Sequence, residues 1–399
     1  EGPELLRAFY HAIEKVAVLD PTCGSGAFLF AALNILEPLY ESCLDRMEVF
    51  LEEIERPGEK HRSDKYGDFK KILKRIDDHP NRRYFVLKSI IINNLFGVDI
   101  MDEAIEICKL RLFLKLVAQI EEVENIEPLP DIDFNVRAGN TLVGFARLED
   151  VRQALSAQLF AGDALKRIEE KAEEVDSLFE LFRQMQTEQG MDSHDFTDAK
   201  REVGKRLKVL EEELNGYLAE SYGVDPKKKP DYEKWLASHK PFHWFVEFYG
   251  ILKHGGFDVI IGNPPYIIYP SAKVRYAVDS TYYSTLSAKN LYVLVFERSV
   301  HLAKAASGIG LIVQMTVLSS ERLPVLQDYL LSRNRMFALP FPRRPESVFD
   351  GVEMPVAIVL SLPGQEREFV SSRVSRFYTE ERPYAMKLLS LVQHTIRID

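Results

Sequence analysis

The stretch Phe257 to Tyr266, FDVIIGNPPY, limits the folds open to this chain more than any other. Val259, Ile260 and Ile261 form an apolar run between the turn-like pair Gly255-Gly256 and Gly262, which reads as a buried strand. Pro264 and Pro265 cannot continue it, because neither has a backbone N–H and each holds φ near about −65°. A residue that precedes proline is pushed out of the α region, so Asn263 and Pro264 are expected to be extended. The strand therefore ends in a stiff ledge that offers an amide side chain, a carbonyl that no ladder uses and an aromatic ring. In an open α/β sheet, ligands bind beyond the carboxyl ends of the strands. The same stretch also fits a plain strand ending in a proline-rich turn, so the rest of the chain has to decide.

A second constraint lies near the amino end. Val16 to Asp20 (VAVLD) reads as a short buried strand, followed by Pro21-Thr22-Cys23-Gly24-Ser25-Gly26 and an apolar helical pattern from Ala27 to about Tyr40. Strand, glycine turn and helix open a doubly wound fold; the glycines permit tight geometry, and the helix start supplies unpaired N–H groups. The spacing is neither GxGxxG nor a P-loop, which excludes both phosphate fingerprints. A carboxylate at Asp20 would repel a diphosphate and attract a cation or an amino group. Leu95 to Ile100 (LFGVDI) reads as a second strand ending in Asp99, the usual place for a carboxylate on ribose hydroxyls. Its distance from the glycine turn exceeds the usual ~20 residues, and an insertion accounts for that. Phe134 to Gly139 reads as a third strand ending at Asn140, whose amide either reaches an adenine edge or serves a plain turn.

Further along, Leu291 to Ala306 reads as a helix, Ile309 to Gln314 as a strand, Leu323 to Leu331 as a helix, and Phe337 to Leu339 and Val356 to Leu360 as closing strands. The alternation predicts an α/β class fold: a doubly wound, mostly parallel, seven-stranded sheet with helical insertions. Residues 1–147 and 238–362 would form one domain. Residues 42–83 would be a basic helical insertion, 148–237 a charged helical one, and 363–399 a tail, with a strand near Phe369 to Val374, or the start of a truncated recognition region. The opening EGPELLRAFYHAI reads as a helix lead-in without a signal peptide, as expected of a chain that begins inside a larger protein.

The net charge of −10 on 399 residues disfavours nonspecific nucleic-acid binding but does not locate a groove. Local basic positions do exist: Lys60, Arg62, Lys65, Lys70, Lys71, Lys74, Arg75, Arg82 and Arg83, then Lys273, Arg275 and Lys289 in the loop Ile267 to Asn290, then Arg343 and Arg344. Cys23, Cys43 and Cys108 are too widely spaced for a disulfide framework or a zinc site. No uncharged apolar run of about eighteen residues suggests a membrane span.

Taken in order, DPTCGSGAFL, GVDI, AGNTL, FDVIIGNPPYI and LYVLVFERSVHLAKAASGIGLIV resemble the S-adenosylmethionine-dependent DNA adenine-N6 methyltransferases. The cofactor motif precedes NPPY, which is the gamma order, and the likeness is greatest to large, often fused type II restriction-modification and phage-defence enzymes. It covers about residues 16 to 362 outside the two insertions. The resemblance implies S-adenosyl-L-methionine as cofactor, met by Asp20, Pro21, Thr22, Cys23, Gly24, Gly26 and Phe28, with Asp99 on the ribose, Ile100 against the adenine and Asn140 at its amino group, where such enzymes often carry Asp. It implies that Asn263, Pro264, Pro265 and Tyr266 receive a target adenine flipped out of double-stranded DNA. Lys273, Arg275, Lys289, Arg343 and Arg344 would then face DNA. No metal is needed for methyl transfer, and a cytoplasmic enzyme of a prokaryotic cell is expected. The family's upstream Thr-Pro segment, a complete target-recognition domain and a PD…(D/E)xK nuclease cluster are not recognisable, so any nuclease would be supplied elsewhere. NPPY also occurs in RNA-adenine and protein-glutamine methyltransferases. Those, and a catalytically silent DNA-specificity scaffold, are the alternatives.

Overall fold

The computed structural model describes residues 2–55, 66–79, 81–120, 122, 129–156, 161–188, 194–318, 326–327, 335–344, 354–364, 368–372 and 393–397. Its strands are β1 (Val18–Asp20), β2 (Leu95–Asp99), β3 (Val136–Ala138), β4 (Phe257–Gly262), β5 (Ala303–Gln314), β6 (Arg335–Phe341), β7 (Val356–Leu362), β8 (Glu368–Ser372) and β9 (Gln393–Arg397). They form one sheet in the order β3-β2-β1-β4-β5-β7-β6-β8-β9. The first five in that order run parallel, β7 is antiparallel to both β5 and β6, and β6 therefore points the same way as β5. The expected seven strands are present, and β8 and β9 carry the sheet on to nine. The two come from the stretch read as a tail: β8 pairs in parallel with β6, and β9 antiparallel with β8.

The helices are α1 (Pro3–Lys15), α2 (Ala27–Glu55), α3 (Gly67–Asp77), α4 (Arg82–Asn93), α5 (Asp102–Val117), α6 (Leu148–Leu155), α7 (Ala161–Glu188), α8 (His194–Ser221), α9 (Lys229–His239), α10 (Trp244–Glu247), α11 (Tyr249–Lys253) and α12 (Leu291–Leu302). Helices cover both faces of the central strands, which is why β1 is buried along its whole length. One core joins α1, α2, α4 and α5 through Leu29, Leu33, Leu44, Leu87 and Leu112. The other joins Trp244, Phe248, Tyr292 and Phe296 to Leu19, Ile260 and Leu311.

Two boundaries differ from the sequence reading by more than the one or two residues over which element ends ordinarily vary. The helix expected to stop near Tyr40 runs on to Glu55 through Pro38. Asn34 and Pro38 are both exposed, so the carbonyl deprived of its bond by the proline faces water. β5 begins at Ala303, where the expected helix was still running, because Ala303 pairs with Phe257 ahead of a register shift in β4. Among the described residues α2 is the one helix long and apolar enough to cross a membrane, yet it starts at the glycine turn and buries Leu29, Leu33, Tyr40 and Met47 in the core.

The arginines in the described part of the basic tract are tied down, while Lys70, Lys71 and Lys74 are exposed. Arg7 of α1 donates to Asp68 at 2.6 Å, and Arg75 pairs with Glu14. Since α1 leads into β1, this docks α3 at the strand-entry end of the sheet, opposite the ledge. Arg82 pairs with Asp45 and Glu48, and Arg83 with Glu37. Lys60, Arg62 and Lys65 lie outside the described residues, as do most of the expected helix Leu323 to Leu331 and the residues between 345 and 353.

Between β3 and β4, α7 and α8 pack side by side through Ile168, Ala172 and Val175 against Val203, Leu207, Leu210 and Leu214. A cavity of about 600 Å³ separates α7 from the strand-entry end, lined by Phe96, Phe134, Asp176, Phe179, Phe248 and Lys304, and it does not reach Asp20 or the ledge.

Candidate active site

β1 ends in Asp20, whose side chain is 1% exposed. Its Oδ1 accepts the Thr22 N–H at 3.1 Å. Burial, helped by the nearby Asp99 carboxylate and only partly opposed by the Thr22 bond, lifts its pKa to about 8. The turn that follows needs glycine. Gly26 has φ 81°, and a Cβ there would collide with the Cys108 sulfur of α5. Pro21 and Cys23 are buried, and Arg111 of α5 clasps the turn from outside through the Ser25 carbonyl at 2.7 Å. The neighbouring Cys108 and burial both push the Cys23 thiol upward, so it is an inert packing group.

Asp99, at the end of β2, ties the turn to its own strand. Its Oδ2 accepts the Gly24 N–H and its Oδ1 the Met101 N–H, both at 2.9 Å. Each oxygen keeps a second lone pair for a ligand. Asn140, 2% exposed, uses its Oδ1 for the Leu142 N–H at 3.0 Å. Its NH₂ is left without a partner among the described residues and its Oδ1 keeps a second lone pair, so the amide can meet a ring nitrogen or the amino group expected from the sequence. Thr141 beside it donates to the Pro21 carbonyl and so joins the β3 end to the turn. Lys240, which follows α9, reaches the Ile100 carbonyl at 3.1 Å and the Asp102 carboxylate.

The ledge leaves β4 between β1 and β5. A Cβ on Gly262 would stand 2.7 Å from Asp20 Oδ1, so the ledge begins against the cofactor-side carboxylate. Asn263 and Pro265 are exposed, Pro264 is buried, and Tyr266 is half-buried. The Tyr266 hydroxyl lies 2.7 Å from Asn263 Oδ1 and 3.1 Å from the Ile312 carbonyl. One hydroxyl proton serves one acceptor at a time, so Tyr266 tethers the amide as well as carrying a ring. Phe28, at the start of α2, packs with Tyr266 on the cluster Ile312, Phe341 and Val356, which puts it beside the ledge as well as the turn.

The loop after the ledge is built, not loose. Tyr269 N–H donates to Lys289 O at 3.0 Å, and Leu291 N–H to Ile267 O at 2.9 Å. Glu297 of α12 is 1% exposed and accepts four bonds, from the N–H and hydroxyl groups of Ser284 and Thr285. Burial works to raise its pKa, but those bonds outweigh it and hold the carboxylate below its ordinary range. Lys273, Arg275 and Lys289 are exposed on this loop. Arg343 and Arg344, also exposed, follow β6, which ends at the same edge of the sheet as β4. Among the described residues no three His, Cys, Asp or Glu side chains converge as a metal site would require.

Comparison with known proteins decides the family. The model of the Eco57I restriction-modification methylase matches residues 93–341, and that of the MmeI DNA-methyltransferase domain matches residues 1–135. The chain belongs to the Eco57I restriction-modification methylase family. This methylase chain is 27% identical to the "Putative type II restriction enzyme and methyltransferase RM.MjaORFECS2P" of Methanocaldococcus jannaschii, over 90% of its own length and 31% of the relative's. It thus spans about a third of that relative. It is also similar in structure to the DrdV–DNA complex (TM-score 0.47, 12% identity, covering 100% of this chain and 30% of that one). A second similar structure is the EcoKI M protein (TM-score 0.40, 10% identity, covering 96% and 52%).

S-adenosylmethionine is the cofactor of a methylase of this family, and the turn fits it. Among the described residues, Thr22 Oγ1 and Asn140 Nδ2 are buried without a hydrogen-bond partner, one in the turn and one across from it. Buried polar atoms are rarely left so unless a ligand completes them. Sequence reasoning on the methylase missed Thr141, Lys240, Arg111 and Glu297, all of which act through contacts distant in the chain.

Proposed function

We propose that this methylase transfers the methyl group of S-adenosyl-L-methionine to the N6 amino group of an adenine flipped out of double-stranded DNA. The enzyme would be site-specific, cytoplasmic and part of a prokaryotic restriction-modification or phage-defence system, with a nuclease in the same protein or a partner. The observation that carries the reading is the abutment of Asp20 and Gly262 at adjacent strand ends, which brings the cofactor turn and the amine-binding ledge into one site.

When bound, the cofactor supplies an electrophilic sulfonium methyl. The chain's own part is positioning and polarisation. Asp20, Thr22 and Asn140 hold the cofactor, with Asp99 on its ribose. An exocyclic adenine amine is a poor nucleophile because its lone pair is delocalised. Asn263 Oδ1 and the Pro264 carbonyl accept its two hydrogens and favour a more pyramidal nitrogen as charge develops. Tyr266 tethers Asn263 while its ring stacks on the base, and such stacking contributes ~1–3 kcal/mol. Pro265 stiffens the ledge. The exposed Lys273, Arg275, Lys289, Arg343 and Arg344 face the phosphate backbone.

The test is transfer of labelled methyl to duplex DNA, RNA or protein by the full-length protein, beside its Asn263→Ala variant. Labelled N6-methyladenine in DNA from the wild type alone is expected. Label in RNA or in glutamine would move the assignment to those substrates. Failure to bind S-adenosylmethionine would leave a non-catalytic scaffold.

A further inference from the structure

We propose that the helical insertion between β3 and β4 braces the loop beside the ledge, with Tyr222 and His239 as its positioning residues. The inference rests on the proposed DNA methylation only for what the loop is positioned to do. Tyr222 follows α8, and its hydroxyl donates to the Ala277 carbonyl at 3.3 Å and accepts the Asp279 N–H at 3.1 Å. His239, the last residue of α9, accepts the Ala277 N–H on Nε2 at 3.0 Å. Since Nε2 is an acceptor, the ring proton sits on Nδ1, where it meets the Trp235 carbonyl at 3.1 Å. Burial lowers the imidazole's pKa, which keeps this neutral form in place.

Neither ring can swing away. His239 stacks on Trp235 with 5.2 Å between centroids, and Tyr222 meets it edge-on at 5.2 Å. Two aromatic side chains of the insertion therefore take three backbone groups of the segment 277–279, the N–H and carbonyl of Ala277 and the N–H of Asp279, while the Val278 N–H between them donates to the hydroxyl of Tyr269 within the loop at 2.7 Å. The same segment carries Lys273 and Arg275 just upstream, and downstream it runs into Ser284 and Thr285, which Glu297 holds. Between those ends the insertion and the loop's own Tyr269 fix the backbone. Lys240, one residue on, reaches the other way to Ile100 and Asp102 on the cofactor side. The insertion thus reaches both sides of the site, with Tyr222 and His239 on the loop and Lys240 on Ile100 and Asp102.

The experiment compares full-length wild type with Tyr222→Phe, His239→Leu and His239→Gln. Phenylalanine keeps the packing and loses only the hydroxyl; glutamine keeps an acceptor near the Nε2 position. Amide exchange of the 274–284 peptide should quicken about tenfold in Tyr222→Phe and His239→Leu, as expected for losing one or two backbone hydrogen bonds, and stay near wild type in His239→Gln. S-adenosylhomocysteine affinity should not change. KM for unmethylated duplex plasmid DNA should rise about tenfold with the same two variants. Unchanged exchange, faster exchange with an unaltered KM, or equal loosening of the peptides around Asp20 and Asp99 overturns the brace. If wild type transfers no methyl to DNA, the proposed reaction fails, and the exchange measurements alone decide the brace.

Discussion

Replacing Asp20 by Asn removes an ionisable group from the most enclosed position of the site while keeping an oxygen for the Thr22 N–H. The folded carboxyl titrates near about 8 against 3.8 in the ordinary range, chiefly because of burial. Above about pH 4 the unfolded chain is ionised while the folded one keeps its proton, so unfolding releases a proton and folding stability falls until about pH 8. A lift of about four units corresponds to at most about 6 kcal/mol by pH 8, and to about 4 kcal/mol between pH 5 and pH 8. Asparagine carries no such term. Thermal melts of the ligand-free protein should therefore give similar midpoints for wild type and Asp20→Asn near pH 5, with the variant several degrees higher at pH 8. The same variant should bind S-adenosylhomocysteine at least tenfold more weakly. In the wild type, ligand affinity should rise with pH toward about 8 as the carboxylate forms to meet the ligand's amino group. A midpoint difference that does not change with pH, or a wild type more stable at pH 8, would show that Asp20 is already ionised in the folded protein and the reasoning wrong.

Three further outcomes are expected. Tyr266→Phe keeps the ring but frees the Asn263 amide, and should lower kcat about three- to tenfold in labelled-methyl transfer with KM for DNA nearly unchanged; a rise in KM alone would give the hydroxyl a binding role instead. Glu297→Gln leaves one oxygen for four donors and should reduce stability by about 2–4 kcal/mol in urea unfolding at pH 7. That loss should shrink toward acid, where the depressed pKa of the wild-type carboxylate brings its own protonation and the stabilisation it gives disappears; a constant loss would refute this. Lys240→Met should weaken S-adenosylhomocysteine about tenfold by calorimetry while the exchange of the 274–284 peptide stays as in wild type.

Much of this arrangement could be read from local pattern. The strand, glycine turn and helix around Asp20, the carboxylate at the end of LFGVD and the proline break after FDVIIG each depend on residues within a few positions of one another, and each forms as those residues require. The course of α2 through Pro38 depended on which side of the helix meets solvent, which the apolar spacing alone did not show. Strand β8 falls close to the strand read near Phe369 to Val374, whereas β9 is short and needs β8 as a template, so its own sequence is a weak guide. The end of β3 at Asn140 was legible, but not the bond from the Leu142 N–H that orients its amide. Tyr266 lies only three residues from Asn263, yet its hydroxyl contact follows from a side-chain direction that packing on Ile312 and Phe341 sets. Tyr222, His239 and Lys240 were out of reach, because their partners are 38 or more residues away in the chain.

The near-contact of Asp20 with Gly262 bears on how such enzymes can be recombined. The cofactor half and the base half of this chain are separated by more than a hundred residues, as if they could be exchanged as cassettes between relatives. A donor segment bringing any side chain to position 262 would drive a methyl group into the carboxylate of the recipient. Chimeras joined anywhere between β3 and β4 should therefore work only where the incoming ledge begins with glycine, however well the rest of the two halves agree.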